Sequence, residues 1–469
     1  MKPIYQKLLD AIPDYQVFPR VDEMDESSLR LAAEYPGVVS IFEIGKTREQ
    51  HPLYCLKIEG GKQNALIFGL PHPNEPIGVM LMEYFTRALA EDAELRRELG
   101  YTWYVVKAWD SDGARLNEAW FKGPFTVSNY IRNFYRPAGR EQVEWTFPVD
   151  YKELHFHNSL PETQAMMRLI DDIKPRFMYS LHNSGFGGVY WYMTKPLGEL
   201  FDALHAIPAK YRTPMHLGEP ETPACVEYAK AIYAGLGVTA EYDYMEKYGA
   251  MDMKEFARLL GCGDCSASYA GQKYGSFTLL TELPYFYDPR IEDQTPSDIS
   301  RGEAVLQKTR EDLELTAKQR AVLDLSRRYL SPDNHFMLAA EAFTSMSGDN
   351  AEAIKKLVAE NPEYAKPATG AEKFDNLLVA KFYRALVFAL LRRANESELE
   401  KMKSAGEDDP EKRKTLNEAA VQAGEALEEM LKYLEENFQY QVVPIKNLVS
   451  IQLESGLLVA DYLKEHPEL

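Results

Sequence analysis

Two ionisable residues three positions apart, His72 and Glu75, lie where an apolar run changes to a helical pattern. The segment NALIFGLPHPNEPIGVMLMEYF predicts a strand to Leu70, a turn, and a helix beginning near Pro76. An imidazole and a carboxylate on such a turn can reach one metal ion, at the end of a strand where open α/β sheets place their sites. The alternative is a helix N-terminus whose first-turn Glu75 interacts with the helix dipole, His72 being an ordinary loop residue.

A third ligand is expected from another strand, because a catalytic zinc has three protein ligands and one open position. The segment RFMYSLHNSGFGGVYWYM provides it, since an apolar strand ends in His182 and small, glycine-rich residues follow. Taken alone, His182 would be interpreted as a half-buried histidine hydrogen-bonded at a strand end. The matching contexts of the two segments favour a shared metal on His72, Glu75 and His182.

A third strand, SFTLLTELPYF, carries an ionisable residue in an apolar run, Glu282. A charged group in such a run is costly unless it forms a pair or takes part in chemistry. Beside a metal, a glutamate can act as general base toward the attacking water and then deliver the proton to the leaving amine. The structural alternative is an ion pair between Glu282 and Arg290.

The strands that must position these residues belong to an alternating pattern in the first ~310 residues. The predicted strands are VVSIFEI, PLYCLKI, NALIFGL, YTWYVVKAW, FMYSLHN, GGVYWYM and SFTLLTEL. Segments with helical spacing, such as 75–90 and 163–173, lie between several of them. Strands alternating with helices predict an α/β fold, a mixed sheet flanked by helices.

The composition changes after residue 300 or so, and from Gln319 onward helices alternate with the breaks SPDN, ENPEYAKPATG and SAGEDDPEK. Leu427, Leu431, Leu434 and Phe438 follow the spacing of one buried helical stripe. We therefore predict a catalytic domain over residues 1–312 and an all-α C-terminal domain over residues 313–469. A homo-oligomer formed through the helical domain is compatible with this organisation.

Composition and charge limit the partners and the compartment. Lys and Arg number 53 against 72 Asp and Glu, so the net charge of -19 argues against nucleic acid or an anionic membrane surface as main partner. No apolar run has the length of a signal peptide or a transmembrane helix. The four cysteines are too few and too scattered for a disulfide framework, so a reducing cytoplasm is expected.

Two other groups could in principle bind a metal, and the sequence favours neither. Cys262 and Cys265 have the spacing of half a zinc knuckle, but a structural site needs a second pair. His155 and His157 would share one face of a strand, with only Glu153 nearby as a further ligand. Both pairs are more simply interpreted as loop thiols and as surface or core histidines.

The order H-x-x-E, then a Pro-Glu-Thr helix, a strand-borne His and T-E-L resembles that of the carboxypeptidase A/B metallopeptidases, over residues 20–290 or so. The flanking segments agree with the resemblance: Gly45-Lys46-Thr47 with His51-Pro52, Ser111-Asp112-Gly113, and Ser268-Tyr269 through Tyr274-Gly275-Ser276-Phe277-Thr278. The helical C-terminus lies outside it. The resemblance implies zinc on the three ligands and Glu282 as general base.

The resemblance also assigns two arginines. Arg115, in DGARLNE, falls where the family keeps an arginine that polarises the scissile carbonyl and holds the oxyanion. Arg132, in SNYIRNF, falls where the family binds the terminal carboxylate of its substrate. Asn129 replaces the family's aspartate that orients the first histidine, and Ile131 replaces an asparagine of the carboxylate site. The substrate-capping tyrosine would lie among Tyr242, Tyr244 and Tyr248.

The resulting expectation is a zinc-dependent metallocarboxypeptidase that hydrolyses a peptide or amide bond of a peptide or amino-acid-derived substrate. The replacement at Ile131 leaves open a related zinc amidase or deacylase that acts on a modified amino acid. A third alternative, of another class, is a catalytically inert binding or scaffold protein whose helical domain recruits partners.

Overall fold

A ten-stranded mixed sheet forms the centre of the protein in a computed structural model that describes residues 2–469. Its strand order is β1-β2-β4-β3-β7-β11-β8-β10-β9, with β14 paired to β11, and two small two-stranded sheets pair β5 with β6 and β12 with β13. The strands are β1 (Val39–Lys46), β2 (Pro52–Ile58), β3 (Gln63–Phe68), β4 (Tyr101–Val106), β5 (Val149–Tyr151), β6 (Leu154–Phe156), β7 (Phe177–Phe186), β8 (Tyr190–Met193), β9 (Glu227–Ala229), β10 (Ile232–Ala234), β11 (Phe277–Tyr287), β12 (Pro296–Ser300), β13 (Pro367–Thr369) and β14 (Gln441–Val442).

The middle of the sheet is parallel, because β4, β3, β7 and β11 run in one direction. All ten residues of β7 are buried, as expected for a parallel strand covered on both faces. The register pairs Glu282 of β11 with His182 of β7. Residues predicted on separate strands are thereby brought side by side at the centre of the sheet.

Helices cover the sheet and connect its strands in the first three hundred residues. Pro161 begins one of them at the first helical position, where a missing N–H costs nothing. These helices are α1 (Pro3–Asp10), α2 (Val21–Glu34), α3 (Ile77–Glu91), α4 (Ala93–Leu99), α5 (Ser111–Arg115), α6 (Glu118–Phe121), α7 (Val127–Asn133), α8 (Pro161–Ile173), α9 (Phe201–Lys210), α10 (Val238–Tyr248), α11 (Met253–Leu260) and α12 (Ser266–Tyr274).

The rest of the chain is mainly helical, so the predicted fold class, an α/β sheet with a helical C-terminal region, is confirmed. The predicted domain division at residues 312 and 313 falls inside α13, which a capping box at Ser300 begins. A π-helical turn, Asp375–Val379, leads into α17. The helices are α13 (Arg301–Ser326), α14 (His335–Thr344), α15 (Ser347–Glu360), α16 (Gly370–Phe374), α17 (Ala380–Ala405), α18 (Pro410–Asn437) and α19 (Ile445–Glu465).

The last helix, α19, packs against the sheet and α3. The Tyr179 hydroxyl of β7 donates to the backbone oxygen of Gln452 at 2.5 Å, and Trp191 Nε1 of β8 donates to Ser455 Oγ at 3.1 Å. Buried side chains from both ends of the chain belong to one hydrophobic cluster. Within residues 2–469, no helix is both long enough and apolar enough to span a membrane.

Candidate metal centre

Three buried side chains meet at the carboxyl end of the central strands. His72 lies in the turn after β3, Glu75 precedes α3 and His182 lies in β7, and their ligand atoms are all within 4.8 Å of one another. His72 Nδ1 lies 3.1 Å from Glu75 Oε1, and His182 Nδ1 lies 3.0 Å from Glu75 Oε2. The structure therefore brings together the three residues that the sequence selected as metal ligands.

The hydrogen bonding of this cluster fits a metal ion. Glu75 Oε2 and His182 Nδ1 are buried and make no hydrogen bond, although they lie close together. Buried polar atoms without partners are rare in proteins, and such atoms often mark a metal or ligand site. Two imidazole nitrogens and a carboxylate oxygen are a donor set that zinc accepts, with room for a fourth ligand.

The ionisation of the cluster suits cation binding. Burial, and then the Arg136 guanidinium, lower the pKa of His72 to about 3, so its imidazole is neutral. Burial disfavours the ionised form of Glu75, but the two imidazoles outweigh it and hold the pKa of Glu75 below its usual range. Neutral imidazole and ionised carboxylate are the forms that bind a metal.

The second histidine is oriented by its own strand. Ser180 and His182 point to the same face of β7, because side chains alternate along a strand. Ser180 Oγ lies 2.7 Å from His182 Nε2. If Ser180 Oγ accepts a hydrogen bond from the Nε2–H group, the lone pair of His182 is on Nδ1, which faces Glu75.

The first histidine has an arginine as neighbour. Arg136 Nη2 lies 2.9 Å from His72 Nε2, and Arg136 Nη1 donates to Glu75 Oε1 at 3.2 Å. Sequence reasoning missed Arg136; the available signal was a cation in YRPAG, four residues after Arg132 on the loop that follows α7. Asn129, expected near His72, instead donates to the backbone oxygen of Pro124.

Glu282 lies next to the cluster. Its Oε1 is 3.7 Å from His182 Nδ1, and its side chain is 9% exposed. Burial, and then the negative charges of Glu75 and Glu221, raise the pKa of Glu282 well above its usual value, while Arg136 opposes this rise. The ion pair with Arg290 suggested as an alternative is absent, because the guanidinium of Arg290 binds Asp288.

The two arginines selected from the sequence lie elsewhere, in contrast to Arg136. Arg115 Nη2 donates to Asp22 Oδ1 at 2.7 Å. Arg132 binds both carboxylate oxygens of Glu428 on α18, with Nη2 2.7 Å from Oε2. Each guanidinium has its own carboxylate partner, and neither residue lines the cavity at the metal centre.

A cavity of about 660 Å³ opens beside the three ligands. Its walls include Glu282, Tyr190 and Tyr192 from the sheet, together with residues of α13 and α17. Tyr242, Tyr244 and Tyr248, the region in which a capping tyrosine was expected, pack in a separate cluster with Phe256 and do not line this cavity.

The two competing metal groups are ordinary surface and core residues. Cys262 and Cys265 are buried free thiols, and Cys55 and Cys225 are free as well. His155 and His157 are both 61% exposed and share Asp150 Oδ1, at 2.8 and 3.0 Å.

Comparison with known proteins agrees with this geometry. Residues 25–252 match the family model of the zinc carboxypeptidases. This match covers 228 of the 469 residues, and residues 25–252 are called the carboxypeptidase-family region below. The matched range contains all three candidate ligands, two of them in the β3–α3 connection. It ends before Glu282. No curated protein sequence matches the chain.

Solved structures resemble part of the chain at low identity. Carboxypeptidase A from Helicoverpa armigera is 17% identical, with 60% of this chain and 71% of that chain covered and a TM-score of 0.35. A metallo-carboxypeptidase from Burkholderia cenocepacia is 15% identical, with 59% and 62% covered and a TM-score of 0.33. With TM-scores this low, the family assignment depends on the family model.

Proposed function

We propose that this protein is a zinc-dependent metallohydrolase that cleaves a peptide or amide bond in the manner of a carboxypeptidase. The observation that carries the proposal is the cluster of His72, Glu75 and His182 with Glu282 beside it. Three protein ligands at the mouth of a cavity leave one coordination position open, which is typical of a catalytic zinc site and not of a structural one. When bound, zinc would polarise the scissile carbonyl and make water more acidic.

The roles of the protein groups follow from their positions. Glu282 would accept a proton from the attacking water and pass it to the leaving amine. Its pKa is raised by burial and by neighbouring carboxylates, and a divalent cation on the ligands would lower it again, so that Glu282 could act as a base. Arg136, which lines the cavity, would stabilise the oxyanion, the role first assigned to Arg115.

A related zinc amidase or deacylase is the second candidate, and one contact favours it. Arg132, expected to bind the terminal carboxylate of a peptide, is held by Glu428 outside the cavity. Peptides with free and with amidated C-termini separate the two functions. If the protein is a carboxypeptidase, blocking the carboxylate should lower kcat/KM by an amount equivalent to about 2 kcal/mol or more of transition-state stabilisation. Equal rates would identify the amidase.

Metal analysis of the purified protein is the direct test. Wild-type protein should bind one zinc per chain, and His72→Ala should lose it. Glu282→Gln should keep zinc and lose hydrolysis, because glutamine is close in size but cannot accept the proton. His155→Ala is a matched control, since His155 is exposed and remote from the cluster. Zinc-free wild-type protein would contradict the proposal, and zinc-loaded protein without hydrolytic activity would identify the inert scaffold.

A further inference from the structure

The C-terminal helices form one wall of the cavity that contains the metal ligands. Residues of α13 line it at 305, 308 and 312, and residues of α17 line it at 380, 383, 384, 386 and 387. The α13 positions follow the i, i+3, i+7 spacing of a single helical face, and four of the five α17 positions follow i, i+3, i+4, i+7. Each helix therefore presents one continuous face to the cavity, opposite the end of the sheet.

This wall is held together by charge pairs of its own. Asp312 Oδ1 accepts from Arg384 Nε at 2.9 Å, and Asp312 Oδ2 lies 3.2 Å from Lys308 Nζ. One carboxylate thus bridges α13 and α17 at the cavity surface. The remaining positions are Tyr383 and four apolar residues, Val305, Ala380, Leu386 and Val387.

The wall is also fixed to the sheet next to the ligands. The Tyr383 hydroxyl donates to the backbone oxygen of Phe186, four residues beyond His182 on β7, at 3.2 Å. The Phe382 ring stacks on Tyr130 at 5.9 Å between centroids. A Cβ at position 185 would lie 2.7 Å from the Phe382 ring, so Gly185 permits this close approach.

A third contact holds α17 close to the metal centre. The guanidinium of Arg393 on α17 donates to the backbone oxygens of Asn133, Phe134 and Leu116 at 2.7–2.9 Å. Asn133 and Phe134 lie directly before the loop residue Arg136 in the chain, and Leu116 lies just after α5. A helix bonded both to β7 and to this loop forms a fixed boundary of the cavity.

We propose that α13 and α17 restrict the active-site cavity to short substrates, namely small peptides and N-acylated amino acids, and that Tyr383 sets the length limit. The inference rests on the proposed hydrolase function. A cavity of about 660 Å³ has the size of a small-molecule site, whereas a long or folded chain needs an open groove. Tyr383 lines the cavity and is 42% exposed, so its side chain is accessible to a substrate bound there.

The test is a length series of peptides hydrolysed by the full-length, zinc-loaded protein. Di-, tri-, hexa- and decapeptides with the same C-terminal residue are compared by the rate of amino-acid release. We expect kcat/KM to fall at least about tenfold from tripeptide to decapeptide. The length ratio is kcat/KM for the tripeptide divided by kcat/KM for the decapeptide. Tyr383→Ala should reduce this length ratio about threefold or more by opening the wall, and Ala380→Trp should increase it by narrowing the cavity.

The matched control is Tyr433→Ala, since Tyr433 is a helical tyrosine of similar exposure, 40%, outside the cavity. Its length ratio should equal that of wild type. Length-independent hydrolysis by wild type, or ratios unchanged in both wall variants, would overturn the length limit and leave the hydrolase function intact. If no peptide of any length is hydrolysed, the proposed function fails and the length limit fails with it.

Discussion

At the scale of single residues, the contact between Arg136 and His72 defines a tautomer. A guanidinium only donates hydrogen bonds, so His72 Nε2 accepts and the proton lies on Nδ1, which faces Glu75. Metal binding through Nδ1 requires the proton on Nε2, where it would meet the N–H group of Arg136. If a metal bound through Nδ1, Arg136 would have to move away from His72 and would then be free to interact with a substrate.

The first prediction follows from this conflict and from the positive charge of Arg136. Arg136→Gln should bind zinc about tenfold more tightly, because the substitution removes a cation beside the site. It should also lower kcat/KM by about two orders of magnitude through loss of oxyanion stabilisation. Zinc affinity is measured by competition with a chromophoric chelator. Arg132→Gln is the control, because Arg132 lies outside the cavity and its substitution should leave zinc affinity unchanged. If Arg136→Gln also leaves zinc affinity unchanged, Arg136 does not oppose metal binding at His72.

Ser180 gives the second prediction. Its hydroxyl contacts His182 Nε2, and loss of such a partner typically costs about 10–100-fold in metal affinity. Ser180→Ala should therefore weaken zinc binding by about tenfold. Ser184 lies on the same face of β7 and its hydroxyl makes no hydrogen bond, so Ser184→Ala should have no effect on zinc affinity. Equal affinities in the two variants would show that Ser180 does not orient His182.

At the scale of elements, the sequence predicted the strands well and the loops poorly. All seven predicted runs lie on strands of the central sheet, because runs rich in β-branched and aromatic residues are typical of strands. His72, Glu75, His182 and Glu282 could be selected from the sequence because each lies in or directly beyond such a strand. Arg136 was missed because it lies in a loop, where no hydrophobic period fixes the direction of a side chain.

The role of α19 could not be predicted for a related reason. Its apolar pattern identifies a buried helix but not the surface that buries it, and its partners in β7 lie far away in sequence. Gly456 is the point of closest approach, since a Cβ there would lie 2.4 Å from the Tyr179 ring.

Gly456 supplies the third prediction. Gly456→Ala should destabilise the protein by about 1–3 kcal/mol, because the methyl group would force the Tyr179 ring and α19 apart. Gly424→Ala, in α18, is the control: the new methyl meets only Arg392, at 3.8 Å, and alanine favours the helix by about 0.5–1 kcal/mol. Urea denaturation measures both. A stabilised Gly456→Ala protein would show that α19 does not pack tightly on the sheet.

At the scale of the whole molecule, the helical C-terminal region and the carboxypeptidase-family region share structure. Arg132 binds Glu428 on α18, α17 borders the cavity, and α19 covers part of the sheet. Arg115 and Arg132, to which the family resemblance gives functional roles, both bind acidic partners on other elements. Removal of the helical region would expose the core and open the cavity, so the stability of the protein and the shape of the cavity depend on the same contacts.

Buried carboxyl groups connect the stability of the whole molecule to pH. Burial raises the pKa of Glu144 to about 8, although the hydroxyl and backbone N–H of Ser266 partly offset it by donating to Oε1. The native state therefore keeps a proton on Glu144 that the unfolded chain releases above its ordinary pKa of about 4.5. Because the native state binds more protons, this group makes stability fall as pH rises through that window.

Glu144→Gln should remove this contribution, since the amide oxygen can still accept from Ser266 and nothing ionises. Urea denaturation at pH 5 should give similar free energies of unfolding for variant and wild type, and at pH 8 the variant should be the more stable by about 1 kcal/mol or more. Glu98→Gln is the control of opposite sign: hydrogen bonding to Lys2 lowers the pKa of Glu98, so removing its charge should cost stability at neutral pH and not at low pH. A stability difference between Glu144→Gln and wild type that does not change with pH would show that Glu144 is ionised in the native protein.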